Sequence, residues 1–263
     1  MTDVNEWSCL KVRADEGVVH VTFDRPQARN AMNAAMVREL ERALEVAVEA
    51  KARAIVLRGS GGHFCAGGDI KDMAAARMKT GEGDAIAELN ATFGLLALKF
   101  ARAPMPSVAV LEGAVMGGGF GLACCVDVAI ALPSAKFSLP ETRLGVLPAQ
   151  IAPFLVERIG YSQAKRLALT GASLGSDEAL AMGLVHHTCS EDECDALVTK
   201  TTDAIKRCAP GAVAATKRLL QEHFAQVDED TIRDAAALFA KAARGPEAGE
   251  GMRAFMEKRP AKW

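Results

Sequence analysis

The chain has 263 residues, half of them apolar, with few aromatic side chains and a formal charge of −2. That length supports one large α/β domain with a helical appendage, burying roughly three quarters of its unfolded surface without staples. The near-neutral balance leaves no footprint for nucleic acid or a membrane surface, and no run reaches the roughly 18 apolar residues of a membrane span.

Residues 8–13 and 17–23 read as a hairpin about Asp15-Glu16-Gly17, with Val19, Val21 and Phe23 alternating with Val18, His20 and Thr22. After the turn Asp24-Arg25-Pro26, a helix runs from Asn33 to Ala50, with Met36, Leu40, Leu44, Ala47 and Val48 at helical spacing. The short apolar runs 54–57, 108–111 and 126–130 are expected as strands of a parallel sheet buried on both faces. Residues 71–102 form a looser helical pattern, broken at Thr80-Gly81-Glu82-Gly83, where the chain is expected to be mobile. Beyond Pro148 the pattern is almost wholly helical. Ser162 and Ser176 read as N-caps, a helix over 191–208 stops at Pro210, and further helices lie near 211–225, 229–243 and 246–258. This shift divides the chain into a core domain, 1–195, and a C-terminal helical subdomain, 196–263, with no internal repeat.

The seven cysteines, Cys9, Cys65, Cys124, Cys125, Cys189, Cys194 and Cys208, are odd in number and include no CxxC pair. Free thiols in a reducing compartment account for them, and no metal site is expected. The first 17 residues carry no signal-peptide h-region, so a soluble, cytoplasmic protein is expected.

Two glycine turns stand out, Ala66-Gly67-Gly68-Asp69 and Gly117-Gly118-Gly119. Each follows an apolar strand and precedes a helix, so each aims free backbone N–H groups into a crevice. Two such turns can offer two donors to one oxygen, an oxyanion hole. The GxGxxG fingerprint and the GK[ST] triplet are absent, which removes the usual nucleotide-binding readings. Gly171-Ala172-Ser173-Leu174-Gly175 fits GxSxG, but a helical pattern precedes it, so Ser173 belongs to a turn and not to a nucleophile elbow. In Phe137-Ser138-Leu139-Pro140-Glu141-Thr142 a proline fixes the approach to a carboxylate. Facing a dry crevice, Glu141 would have a pKa raised toward roughly 6–7, suited to proton transfer. Otherwise it is a helix-start glutamate stabilised by the helix dipole.

With these strings, Phe23-Asp24-Arg25-Pro26-Gln27-Ala28-Arg29-Asn30-Ala31, His63-Phe64-Cys65-Ala66-Gly67-Gly68-Asp69-Ile70-Lys71, Gly113-Ala114-Val115-Met116-Gly117-Gly118-Gly119, Phe137–Glu141 and Glu250–Arg259, the chain resembles the crotonase superfamily of enoyl-CoA hydratases and isomerases. The likeness covers essentially its whole length. It implies an α/β fold, a spiral of ββα units with a C-terminal helical subdomain for oligomerisation. It implies an acyl-CoA thioester held by the N–H groups of Gly68 and Gly118, with no cofactor beyond the CoA of the substrate. CoA would lie along Gln27, Ala28 and Arg29, near Ala66, Ile70 and Lys71. Phe239 and Lys258 match positions that reach CoA from a neighbouring subunit, and the usual state is a homotrimer or a dimer of trimers.

The resemblance has one departure. Typical hydratases carry two glutamates; the second matches Glu141, but the first would stand where this chain has Gly121. A lone glutamate also resembles the enoyl-CoA isomerases. The stretches Pro148–Phe154 and Gly119–Leu122 look most like the hydratases of branched glutaconyl-CoAs, such as the isohexenylglutaconyl-CoA and methylglutaconyl-CoA hydratases of acyclic terpene and leucine breakdown. The reaction implied is water addition to a 2,3-enoyl thioester, with Gly121 expected to leave room for a β-branched substrate. Arg143, Lys99 or Arg102, or none of them, would pair a distal carboxylate. Isomerisation, thioester hydrolysis and silent acyl-CoA binding stand as alternatives.

Overall fold

The computed structural model describes residues 7–78, 84–224 and 227–262. The break expected at Thr80-Gly81-Glu82-Gly83 lies outside the described residues, apart from the adjoining Asp84, which caps a helix through its side chain. Strands β1 (Leu10–Asp15) and β2 (Val18–Phe23) form the expected hairpin. Helix α1 (Ala34–Glu49) follows, its first turn capped by Asn33, whose side chain accepts the Met36 N–H. Then come β3 (Ala54–Gly59), α2 (Ile70–Met78), α3 (Ala85–Arg102), β4 (Ser107–Leu111), β5 (Ala114–Met116), α4 (Gly118–Cys125), β6 (Val128–Ala131) and β7 (Lys136–Ser138). The remaining elements are α5 (Ala152–Thr170), β8 (Ser173–Leu174), α6 (Ser176–Ala181), β9 (His187–Thr188), α7 (Glu191–Lys206), α8 (Pro210–Phe224), α9 (Glu229–Ala243) and α10 (Pro246–Met256).

Among the described residues the larger sheet has the order β1-β2-β3-β4-β6-β9, antiparallel only at β1. Its apolar strands are buried on both faces, as their composition predicts. Val19, Val21, Ile55, Leu57, Ala109, Leu111, Ala129 and Ala131 face the main core with Met36, Leu40 and Leu44 of α1. The alternate residues Val18, Ala54, Val56, Val108, Val110 and Ile130 face Cys194 and Val198 of α7. Each fully buried branched side chain contributes about 1.5–3 kcal/mol, so both faces are firmly held.

A second layer gives the fold its spiral. After each long strand of the large sheet the chain makes a short extended stretch before its helix. After β2 this is Met32, bridged in parallel to Gly68; after β3 it is Cys65, bridged in parallel to Val115. After β4 it is β5, and after β6 it is β7, paired in parallel with β5; β8 closes the layer antiparallel to β7. The layer thus gathers segments distant in sequence into neighbouring rows that run the same way.

Residue 195 falls inside α7, which packs on the outer face of the large sheet. Lys217 of α8 donates to Asp127 at 2.7 Å and reaches the Phe100 and Met105 carbonyls, each at 3.4 Å. Helix α9 lies along α3, and α10 lies on the 3-10 helix Glu141–Leu144. Ser176 opens α6, but the capping position is Gly175. Ser162 is not an N-cap: it lies within α5, beyond Gly160, whose φ of 75° kinks the helix. All seven cysteines are free.

Candidate active site

Both glycine turns leave the same end of the second layer. Cys65 donates its N–H to the Ala114 carbonyl and accepts from the Met116 N–H, each at 2.9 Å, which locks the approach to the first turn beside β5. The register Met116↔Ser138 then brings Gly117 out beside Leu139-Pro140-Glu141, and the Gly117 N–H donates to the Ser138 carbonyl at 3.1 Å. Gly67 has φ 104° and Gly117 φ 50°, conformations that a side chain opposes. The turns also touch: a β-carbon built on Gly117 would lie 3.4 Å from the Gly67 Cα and 3.1 Å from Glu141 Oε1.

The next residues, Gly68 and Gly118, carry N–H groups that donate to no backbone acceptor among the described residues. Gly68 is exposed, with nothing within 4 Å of the β-carbon direction, and Gly118 is the first residue of α4, where a helix leaves its N–H free. Met32 joins the two. Its N–H donates to the Gly67 carbonyl and its carbonyl accepts from the Asp69 N–H, each at 2.8 Å. Its Cε lies 2.7 Å from a β-carbon built on Gly118. A half-buried ion pair, Arg25 to Asp69 at 3.0 Å, braces the first turn, and buried Asn30 holds the Ser60 and His63 carbonyls at 2.9 and 2.7 Å.

Glu141 starts the 3-10 helix after Pro140. Its Oε2 is buried and has no hydrogen-bond partner among the described residues. Burial pushes its pKa up to about 7, against a weaker lowering by its own backbone N–H. The structure shows features of both readings: Glu141 opens a helix, and its carboxylate also lies against the glycine turn at Gly117. Cys65, also buried beside the turn and donated to by the Gly67 N–H at 3.4 Å, is a thiol pushed up to about 12 by burial, and so inert near neutrality.

Gln27 and Ala28 lie in the 3-10 helix Pro26–Ala28, and Arg29 caps it in the left-handed region. The Arg29 carbonyl accepts the Ala66 N–H at 3.0 Å, and Ile70 and Lys71 open α2 just beyond Asp69, so these residues form one rim. Gln27, Arg29 and Lys71 are exposed there. Lys258, also exposed, sits at φ 51° after α10. Phe239 is enclosed in its own chain, 7% exposed, beside Met73, Ala76 and Ile86. Ser173 lies in β8 after helix α5, as a turn-side residue would.

Two expectations need correction. Gly121 leaves no vacant room: a β-carbon there would lie 3.0 Å from Ile151 Cγ1 and 3.3 Å from Phe93 Cζ, so neighbours fill the space. Nor does the structure bring Lys99 and Arg102 to Glu141. Lys99 pairs with Glu41 and Arg102 donates to the Val227 carbonyl, both in a groove of about 630 Å³ between α1 and α3. Arg102, nine residues beyond Phe93, is on the opposite side of α3 at about 3.6 residues per turn. Arg143 lies along Gly171, its Nε 2.8 Å from a β-carbon built there. Met32 and Phe93 escaped the sequence reading, and Ile151 entered it only within the stretch Pro148–Phe154, because an apolar residue near a helix start or on a helix face looks like any other core residue.

The enoyl-CoA hydratase/isomerase family model matches residues 13–263. Among solved structures, Pseudomonas aeruginosa AtuE is similar at 50% identity and a TM-score of 0.80, over 97% of this chain and 98% of its own. An enoyl-CoA hydratase/isomerase from Marinobacter aquaeolei is similar at 47% identity and a TM-score of 0.80, over 97% and 98% of the two chains. The 2,3-dehydroadipyl-CoA hydratase of Escherichia coli is 31% identical over 252 residues, 95% of this chain and 96% of its own. The spiral of strands, the paired glycine turns and these end-to-end likenesses agree, and the chain belongs to the enoyl-CoA hydratase/isomerase family of the crotonase superfamily.

Proposed function

We propose that the protein adds water across the double bond of a 2,3-enoyl-CoA, and that its substrate is a β-branched, glutaconyl-type thioester such as isohexenylglutaconyl-CoA or methylglutaconyl-CoA. The observation that carries the reaction is the Glu141 carboxylate, its buried Oε2 without a hydrogen-bond partner among the described residues, beside two turns with free N–H groups. The thioester oxygen accepts from Gly68 and Gly118. Ionised Glu141 takes a proton from water as the hydroxyl bonds to the β-carbon. The double-bond electrons move to the thioester oxygen as an enolate, which the two N–H groups stabilise. Glu141, now protonated, returns that proton to the α-carbon and the thioester reforms. One carboxylate thus serves both steps, and no cofactor is consumed. The substrate class is supported by the residues around Gly121 and Pro148. The E. coli relative's name, a dehydroadipyl thioester, also denotes an acyl group with a distal carboxylate.

CoA lies along Gln27, Ala28, Arg29, Ala66, Ile70 and Lys71, with exposed Arg29 and Lys71 facing its phosphates. The protein works as a homo-oligomer, a trimer or a dimer of trimers, in which Lys258 reaches a neighbour's CoA. Light scattering tests the assembly: a monomer at working concentration refutes it.

A panel of enoyl-CoAs, with and without a β-branch and a distal carboxylate, tests the function. The branched glutaconyl-CoA is expected to have the highest kcat/KM for hydration. Release of free CoA would identify a hydrolase instead. The single carboxylate also suits an isomerase, and conversion of a 3-enoyl-CoA to its conjugated isomer without hydration would establish that reading. Gly118→Pro deletes one donor at a first-helical-turn position that tolerates proline, and is expected to lose about 3–4 kcal/mol of transition-state stabilisation. A folded Gly118→Pro protein with full activity would remove the oxyanion assignment.

A further inference from the structure

Phe93 lies against Gly121, the position at which the resembled two-glutamate hydratases carry their first glutamate. Its Cε2 and Cζ are 3.4 and 3.5 Å from a β-carbon built on Gly118, and its Cζ and Cε1 are 3.3 and 3.4 Å from one built on Gly121. One ring therefore spans the glycine with the free N–H and the glycine that replaces the carboxylate. Ile151 closes the other side of Gly121 at 3.0 Å. The space about the Gly121 β-carbon direction is thus bounded by hydrocarbon. Phe93 is only partly buried, beside the partly exposed Gly118.

The position of the ring is fixed from behind. Gln150, 2% exposed, donates one hydrogen to Asn90 Oδ1 and the other to the Ile232 carbonyl, each at 2.9 Å. Asn90 stands just before Phe93 on α3, and Gln150 just before Ile151. A β-carbon on Gly94 would collide with the Gln150 side chain, so the neighbouring glycine lets the clamp close. The same polar contact that joins α3 to the 148–151 turn therefore sets Phe93 against Ile151.

We propose that Phe93, backed by Ile151, is a specificity-determining residue: an apolar wall in place of the second carboxylate that packs the substituent on a β-branched acyl chain. The inference rests on the hydratase reading. A carboxylate facing an alkyl branch would be desolvated without a partner, whereas a ring edge gains dispersion contacts with it. The wall also denies water a second protein carboxylate, leaving proton transfer to Glu141.

The test compares kcat/KM for hydration of methylglutaconyl-CoA and glutaconyl-CoA by wild type, Phe93→Ala and Phe93→Leu. Phe93→Ala is expected to move the ratio about tenfold toward the unbranched thioester, within the range that a methyl group commands in an apolar pocket, with Phe93→Leu between. An unchanged ratio, whether both rates fall or neither does, overturns the proposal. If wild type hydrates neither, isohexenylglutaconyl-CoA replaces methylglutaconyl-CoA in the comparison, and hydration of none of the three would show that the hydratase reading has failed, and the inference with it. A second arm needs no turnover. Gly121→Glu is expected to lower Tm by crowding the ring, and adding Phe93→Ala is expected to recover part of that loss. Strict additivity of the two Tm changes would show that the ring does not occupy the carboxylate's place.

Discussion

At the residue scale, Glu141 is expected to give stability and activity opposed pH dependences. Its folded pKa of about 7 stands above its reference value of 4.5, so the folded chain holds the proton more tightly than the unfolded one. The stabilisation from that proton is complete below about pH 4.5 and is lost as pH rises through about 7. Glu141→Gln, which cannot ionise, is expected to match wild type near pH 5 and exceed it by about 1–3 kcal/mol above pH 8. Melting curves at the two pH values check this, and a gap independent of pH would contradict it. Activity runs the other way. The proposed reaction starts from the ionised carboxylate, so kcat/KM is expected to rise with pH through a midpoint near 7. Glu141→Gln should lose about 10²–10⁴-fold. The carboxylate was legible from Pro140-Glu141, because proline fixes local backbone. Gly121 was legible as a missing side chain but not as a filled space, since close packing brings Phe93 and Ile151 in from elsewhere in the chain.

At the element scale, α10 acts as a backing plate for the 3-10 helix that starts with Glu141. A β-carbon on Gly251 would come within 2.5 Å of the Leu144 backbone, and one on Gly145 within 2.4 Å of the Glu247 backbone. Gly251→Ala is expected to push the 3-10 helix out of place and lower kcat about tenfold or more, with only a modest fall in Tm. Gly211→Ala on α8 is the contrasting case. Nothing lies within 4 Å of its β-carbon direction, so the variant is expected to gain about 0.5–1 kcal/mol with kcat unchanged. Both are read by steady-state rates and urea unfolding. The helices and the large-sheet strands were visible as periodicity. The second layer was not, because Met32 and Cys65 are single-residue bridges, and β5, β7 and β8 are too short to show a period of two.

At the scale of the whole molecule, the helical C-terminal segment from residue 196 is fastened to the core by α8, through Lys217 and Asp127. Asp127 also accepts from the Ser107 N–H and hydroxyl at 2.7 and 2.8 Å. Removing either charge leaves its partner partly buried without a counter-charge, so Asp127→Ala and Lys217→Ala are each expected to cost about 2 kcal/mol in urea unfolding. A double variant that costs much less than the sum would confirm their coupling. Composition shows the change from strands to helices, but not that α7 covers the sheet while α9 and α10 turn back to α3 and the site. That depends on long-range contacts that no local window contains. The parallel bridges of the second layer have one more consequence. Neighbouring strands repeat at about 4.8 Å, and N–H groups leaving the ends of two adjacent rows inherit roughly that separation. An oxygen about 2.9 Å from each would meet them at an angle of roughly 110°, close to the spread of its own lone pairs. The pitch of the β-ladder is then the gauge of the site: its tolerance is set by a dimension common to every sheet, and any slip of register would show as a change in the bite on one oxygen.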